Sequence, residues 1–190
     1  MAETAGLVEI RWHGRGGQGA VTSAELLARA AIGEGKYAQA FPSFGPERRG
    51  APVLAFDRIS EKDRIRVRAE IKEPDVIVVL DPGLVSIVDV TAGLKDGGVI
   101  VVNTKKSLDE IAAAFDGKWK VAAVNATKIA NEVLKVNIVN TTMLGALIRA
   151  TGVVKMESLD EPLKARFGRL AERNADAMKK AFDETRIKEL

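Results

Sequence analysis

A chain of 190 residues, 46% of them hydrophobic, has material for one full core and little for a second. Its 29 Lys and Arg against 26 Asp and Glu leave a formal charge of only +3, and aromatics are 5%, which argues against the basic, base-stacking surface of a nucleic-acid binder. There are no cysteines, which excludes disulfides, thiolate-held iron–sulfur clusters and cysteine nucleophiles in this chain and fits a reducing, cytoplasmic setting.

Met1 to Gly6 has no basic region leading into a long apolar core, so no secretory signal is read there. No later apolar run reaches the ~18 residues of a membrane span. Leu7 to Trp12 reads as a strand, Gly14 to Gly19 as a glycine loop, and Ala20 to Ile32 as a helix with a narrow small-residue stripe. Tyr37 to Ala40 is the second strand, and Phe41 to Gly50 a long loop set by Pro42, Gly45, Pro46 and Gly50. Pro52 to Phe56 resumes as a strand, and the apolar–basic alternation of Ile65 to Ala69 predicts another. Val76 to Leu80 and Val99 to Val102 are continuous β-branched runs, the pattern of strands buried on both faces. Between them, Asp81-Pro82-Gly83 breaks the chain and Leu84 to Val90 predicts a helix. Ser107-Leu108-Asp109-Glu110 has the form of a capping box opening a short helix. Trp119 to Val124 is the last predicted strand, followed by helices at Thr127 to Leu134, Ile138 to Ala150 and Pro162 to Phe182. The alternation predicts an α/β fold: a three-layer, mostly parallel, Rossmann-like sheet flanked by helices, with a helical C-terminal extension, all in one domain over 1–190.

The glycine loop carries G-x-G-x-x-G at Gly14, Gly16 and Gly19, between a strand and a helix, the context in which that pattern has meaning. Glycines accept positive φ and let backbone N–H groups approach an anion, and the helix N-terminus adds partial positive charge. A dinucleotide site also needs an acid after the second strand. Here that position reads Gln39-Ala40-Phe41, and the extra Gly17 and Gln18 also depart from the fingerprint. Gly19 reads best as a packing glycine, Gly16 and Gly17 as points of ligand or subunit contact.

The loop Pro42-Ser43-Phe44-Gly45-Pro46-Glu47-Arg48-Arg49-Gly50 is long enough to be functional. Its adjacent arginines offer planar donor forks to phosphate, against the simpler reading of a solvated pair bonded to Glu47. His13 is the only histidine, so no histidine-rich metal site exists; it either touches a ligand beside the loop or makes a structural hydrogen bond. Asp81, at the end of a buried strand, either faces a ligand or caps its own turn. Arg58, Lys62, Arg64, Arg66 and Arg68 read first as a solvated basic face. Neither a nucleophile elbow nor the P-loop spacing is present.

Taken together these residues resemble a known family. Gly14-Arg15-Gly16-Gly17-Gln18-Gly19 resembles the G-x-G-G-Q-G of the gamma subunits of 2-oxoacid:ferredoxin oxidoreductases, most of all their pyruvate-using members. Ser43 to Gly50 resembles that family's next segment, and Asn140-Thr141-Thr142-Met143-Leu144-Gly145 a third, all in the family's order. The resemblance implies a complex that decarboxylates a 2-oxoacid oxidatively to an acyl-CoA. It implies alpha, beta and delta partner subunits, thiamine diphosphate and iron–sulfur clusters held by those partners, and ferredoxin as electron acceptor. It implies no catalytic residue, metal, nucleic acid or membrane for this chain, which would contribute to coenzyme A binding and assembly. Arg48 and Arg49 fall where relatives have a basic pair near coenzyme A. Asn140 matches a polar position near the same cofactor, with capping of its own helix the competing role. The partner of the glycine loop, Gly14, Gly16, Gly17, Gln18 and Gly19, stays open between coenzyme A and a neighbouring subunit. Two other readings remain: a self-standing NADP-binding oxidoreductase domain whose arginines read a 2′-phosphate, and a scaffold module that uses the loop for protein contacts.

Overall fold

The computed structural model describes residues 6–43 and 50–189, so Arg48 and Arg49 lie outside the described residues. In chain order the elements are β1 (Leu7–Arg15), α1 (Ala20–Gly33), β2 (Tyr37–Pro42), β3 (Pro52–Ser60), β4 (Val76–Val79), β5 (Val99–Asn103), α2 (Leu108–Ala113), β6 (Lys120–Val124), α3 (Ala126–Val133), α4 (Asn140–Thr151), α5 (Asp160–Phe167), α6 (Ala171–Glu184) and β7 (Arg186–Lys188).

The strands form one sheet in the order β2-β3-β1-β4-β5-β6-β7. β1, β4, β5 and β6 are parallel neighbours, while β3 runs antiparallel to both β1 and β2, and β7 antiparallel to β6. By direction the sheet is therefore mostly parallel, as expected: only β3 and β7 run against the rest. In a plain βαβ unit α1 would deliver the chain to the strand beside β1. Here β3 occupies that place, which moves β2 two strand spacings, roughly 10 Å, from β1.

β4 and β5 are apolar throughout because both of their faces are buried. Val76, Val78 and Val101 point to one side, where α1, α4 and α6 supply Leu27, Leu144, Leu147 and Met178. Ile77, Val79, Ile100 and Val102 point to the other, against Leu84, Leu94, Ile111 and Phe115. Gly145 lets α4 and α6 cross closely: a Cβ there would lie 1.9 Å from the Met178 carbonyl oxygen. The predicted capping box is present on α2, with Glu110 N–H donating to Ser107 Oγ at 3.3 Å and Ser107 N–H to Glu110 Oε2 at 2.8 Å.

Three predicted elements differ. Ile65 to Ala69 is no strand; its carbonyls at Ile65 and Val67 accept from the side chains of Gln39 and Arg58 instead of from a neighbouring strand. Leu84 to Val90 is no α-helix; its first three residues belong to a 3₁₀ turn, Pro82–Ser86, which is not continued. Asp81 and Asp89 each take a backbone N–H two residues on, and Arg11 draws the carbonyls of Val90 and Ala92, so a continuous helical ladder cannot form. The helix predicted over Pro162 to Phe182 is broken at Gly168, whose φ of +52° interrupts it and separates α5 from α6. The short strand β7 extends the sheet beyond the last one predicted.

Candidate functional site

The site forms where the parallel strands end. β1 finishes at Arg15 and the chain turns through Gly16 to Gly19 into α1. Gly14 is buried, and a Cβ there would sit 3.3 Å from Leu80 and 3.4 Å from Ala20, so this glycine sets how closely α1 approaches the sheet. Gly17 has φ +94° and Gly19 φ +83°, values that favour glycine. They differ in surroundings. A Cβ on Gly19 would lie 2.7 Å from Asn140 Nδ2, whereas at Gly17 it would meet nothing within 4 Å. Gly19 is thus a contact glycine, as predicted, and exposed Gly17 is the open point of the loop.

Gln18 is turned inward. Its Oε1 accepts from Arg15 N–H at 2.8 Å and its Nε2 donates to Asp81 Oδ2 at 2.8 Å. The same Oδ2 accepts from Arg15 Nε at 3.1 Å, and Oδ1 accepts from Gly83 N–H at 2.8 Å. Asp81 therefore caps its own turn and clamps the glycine loop at once. Arg15 also donates to the Gly50 carbonyl at 3.1 Å, and Gly16 exchanges backbone hydrogen bonds with Ala51 and Gly50 at 2.9 and 3.2 Å. Gly50 and Ala51 are the stem of the loop that carries Arg48 and Arg49. The glycine loop is thereby fixed to β4 on one side and to that stem on the other.

Asn140 arrives from a distant part of the chain. It is the first residue of α4, not the N-cap, which is Val139. Its Oδ1 accepts from Thr141 N–H at 2.8 Å and its carbonyl accepts from Ser23 Oγ at 3.2 Å. Among the described residues nothing accepts from its Nδ2. The rest of the third motif is structural: Thr141 Oγ1 bonds Asn174 Oδ1 at 2.7 Å, and Gly145 permits the α4–α6 crossing. Beside Asn140, α1 has Gly19 as its N-cap, with no side-chain cap and no acid in its first turn, which leaves its N-terminal field open to an anion.

His13 points to the other face of the sheet, with Arg11. Arg11 Nε donates to His13 Nε2 at 3.0 Å, and Arg11 Nη2 donates to the carbonyls of Val90 and Ala92 at 3.1 and 2.6 Å. Burial first, and the Arg11 charge second, hold the His13 pKa down at about 3. The structural hydrogen bond foreseen for His13 is there. The roles of Arg15 and Arg11 were missed by sequence reasoning. Arg15 was visible only as the variable position between Gly14 and Gly16. Arg11 could have been paired with His13 from the two-residue alternation of a strand. The described residues hold no group of three or more His, Cys, Asp or Glu placed to bind a metal, and none of their helices is long and apolar enough to cross a membrane.

Residues 9–184 match the family model described as pyruvate ferredoxin/flavodoxin oxidoreductase. The chain is 58% identical over 186 residues to a pyruvate/ketoisovalerate oxidoreductases common subunit gamma of Thermococcus kodakarensis, covering 97% of this chain and 100% of that one. It is 51% identical over 179 residues to the pyruvate synthase subunit PorC of Methanothermobacter thermautotrophicus, covering 94% and 96% of the two chains. The crystal structure of pyruvate oxidoreductase subunit PORC from Thermotoga maritima superposes with a TM-score of 0.85 at 38% identity, over 97% of this chain and 99% of that one.

Proposed function

The chain belongs to the pyruvate ferredoxin/flavodoxin oxidoreductase family, as a gamma subunit of a 2-oxoacid:ferredoxin oxidoreductase, and from that premise we propose that it binds coenzyme A and helps to assemble the complex. The complex decarboxylates a 2-oxoacid, pyruvate in this reading, transfers the acyl group to coenzyme A and reduces ferredoxin. Thiamine diphosphate and iron–sulfur clusters sit in alpha, beta and delta partners of a cytoplasmic assembly, in which 1–190 is one domain. No catalytic step falls to the side chains of this chain. Its part is to hold and orient the thiol co-substrate.

The observation that carries this reading is the convergence of three motifs distant in sequence. The glycine loop touches Asn140 at Gly19 and is bonded to the stem of the arginine loop at Gly50 and Ala51. The chemistry fits an anionic, amide-bearing ligand. The N-terminus of α1 is uncapped, the Gly17 backbone is open, and Asn140 Nδ2 has a hydrogen bond to give. The one carboxylate in the loop's scaffold, Asp81, is bonded to Arg15 and Gln18 and so does not oppose phosphate. Arg48 and Arg49 supply forks for the phosphates, Gly14, Gly16, Gly17 and Gly19 the close backbone, and Gln18 the shape of the loop.

The NADP-domain alternative has less support. It needs the second strand beside the first, so that a residue at its end can reach the ribose. β3 separates β1 from β2, and Gln39 donates to the Ile65 carbonyl.

The test is turnover by the reconstituted complex with and without this chain, and with an Arg48→Ala/Arg49→Ala variant. The isolated chain is expected to be inactive. Loss of well-formed charge-assisted contacts costs roughly 1.5–3 kcal/mol each, so the Michaelis constant for coenzyme A should rise about tenfold or more per arginine in a fully assembled variant. An unchanged constant in an assembled variant overturns the assignment of the arginines.

A further inference from the structure

The sheet face opposite α1 is covered unevenly. Over β4, β5 and β6 it is packed by α2 and by the turns after β4. Over β2 and β3, Phe41, Phe56 and Ile71 form a small cluster with Leu54 against it, and no helix contributes. The chain that lies there instead is the segment 64–68, which runs without helix, turn or bend and is exposed at every residue but Ile65. Two side chains of the sheet moor it: Gln39 Nε2 donates to the Ile65 carbonyl at 3.1 Å, and Arg58 Nη1 to the Val67 carbonyl at 3.2 Å. Arg58 is buried and is itself held by Glu9 Oε1 at 2.8 Å.

The mooring fixes which way the backbone points. In an extended chain the N–H and C=O of one residue point to the same side, and that side alternates from residue to residue. With the carbonyls of Ile65 and Val67 turned to the sheet, Arg64, Arg66 and Arg68 turn their N–H and C=O groups outward, and among the described residues no backbone group bonds to them. Side chains alternate along the same line, the three arginines to one flank, Ile65 and Val67 to the other. None of the three arginines forms an ion pair among the described residues, and Val67 is 58% exposed. The segment has the alternating sequence of a strand and the backbone of a strand, and lacks only a neighbour.

We propose that residues 64–68 take up a strand from a neighbouring subunit of the complex, whose carboxylates meet Arg64, Arg66 and Arg68 and whose apolar side chains meet Ile65 and Val67. The inference rests on the assembly part of the reading above and is independent of coenzyme A. Outward N–H and C=O groups at every second residue are what an added strand bonds. Three cations two residues apart along one flank call for carboxylates at the same spacing, because opposite charges facing each other stabilise a strand pair and like charges destabilise it. The same rule excludes a second copy of this chain, since pairing in register would set arginine against arginine. Nucleic acid fits no better: the net charge is only +3 and the segment has no aromatic residue on which a base could stack.

The test titrates the full chain, and its variants Arg64→Ala/Arg66→Ala/Arg68→Ala, Arg66→Ala and Arg66→Pro, into the remaining subunits of the complex expressed together without it. The three arginines have no ion-pair partner among the described residues, so the isolated triple variant should unfold like the parent. It should bind the remaining subunits about tenfold more weakly or worse, through three lost cross-strand charge pairs. Arg66→Pro removes an outward N–H as well as the charge, and an extended residue before it suits proline, so it should bind about three- to tenfold more weakly than Arg66→Ala. Backbone amides of 64–68 should exchange fast in the free chain and slowly in the complex. If the triple variant binds like the parent and these amides still exchange freely, the segment is a solvated edge whose charges only keep other strands away, and the inference is overturned. It is overturned equally if proline and alanine at 66 bind alike, which would mean contact without strand pairing, or if the isolated chain dimerises through this segment. Should the remaining subunits assemble fully without this chain, the assembly reading falls as well; should they need the chain but not its arginines at 64, 66 and 68, that reading stands without this strand.

Discussion

Asp57 is fully buried on β3, and only one of its oxygens has a partner: Oδ2 accepts from the Trp12 indole N–H at 2.7 Å, while Oδ1 has none among the described residues. Burial pushes its pKa well above the usual carboxylate range, and the Trp12 hydrogen bond only partly opposes this. A carboxyl raised in the fold stabilises below its unfolded pKa of about 3.9, and that contribution is lost as pH climbs toward the folded value. His13 has the opposite sense. Its pKa is lowered to about 3, so its contribution is complete above the unfolded value of about 6.5 and is lost as pH falls toward 3. Each proton can tilt stability by up to about 1.4 kcal/mol per pH unit. Thermal unfolding between pH 4 and 8 should therefore separate them. Asp57→Asn, which keeps the acceptor for Trp12, should gain on the parent as pH rises. His13→Gln should differ in slope from the parent only below about pH 6.5. Midpoint curves parallel to the parent for both variants would refute the assigned environments.

At the level of elements, the closest backbone approach to any of the described glycines joins α4 to α6 at Gly145, where a Cβ would meet the Met178 carbonyl oxygen at 1.9 Å and the Phe182 nitrogen at 3.1 Å. Both obstacles are main chain, so the helices must part to admit a methyl group. Gly145→Ala should cost about 1–3 kcal/mol despite the better helix propensity of alanine, and should lower the denaturation midpoint in urea. A variant as stable as the parent would mean that the crossing relaxes freely. This glycine was legible in the sequence as part of a motif, but its reason was not, because the residue it meets, Met178, lies more than thirty residues on. What was legible rests on local pattern. β4 and β5 announce themselves as unbroken β-branched runs, α2 by its capping box, and the glycine loop by its place between strand and helix. What was not legible depends on contacts between distant residues. Ile65 to Ala69 alternates like a strand, yet its carbonyls at Ile65 and Val67 go to Gln39 and Arg58 side chains. The helix expected at Leu84 to Val90 is undone by Arg11, seventy-nine residues from Val90. The insertion of β3 between β1 and β2 leaves no mark in any single segment.

For the molecule as a whole, the fold brings three separate segments to the carboxyl end of the sheet and couples them through Asp81. This carboxylate holds Arg15 and Gln18, Arg15 holds Gly50, and Gly16 pairs with Ala51, so tension at β4 reaches the stem of the arginine loop through two short steps. The Arg15 and Asp81 side chains are 28% and 19% exposed, enclosed enough for the pair to order the loop and exposed enough that its contribution to stability is about 1 kcal/mol. Asp81→Asn retains an acceptor for Gly83 N–H and removes the charge that orients Arg15. The chain should therefore fold and assemble, with a modest loss of thermal stability. If the clamp positions the ligand loops, the Michaelis constant for coenzyme A rises several-fold while kcat changes little, because ground-state positioning is lost and no reacting group is touched. Coupling provides the stricter criterion. Combined with Arg48→Ala/Arg49→Ala, Asp81→Asn should have less than its separate effect, since a misplaced loop without its arginines has nothing further to lose. Full additivity would make Asp81 a cap for its own turn alone and the two loops independent, and coenzyme A would then owe its placement to the glycine loop and Asn140 without the stem at Gly50.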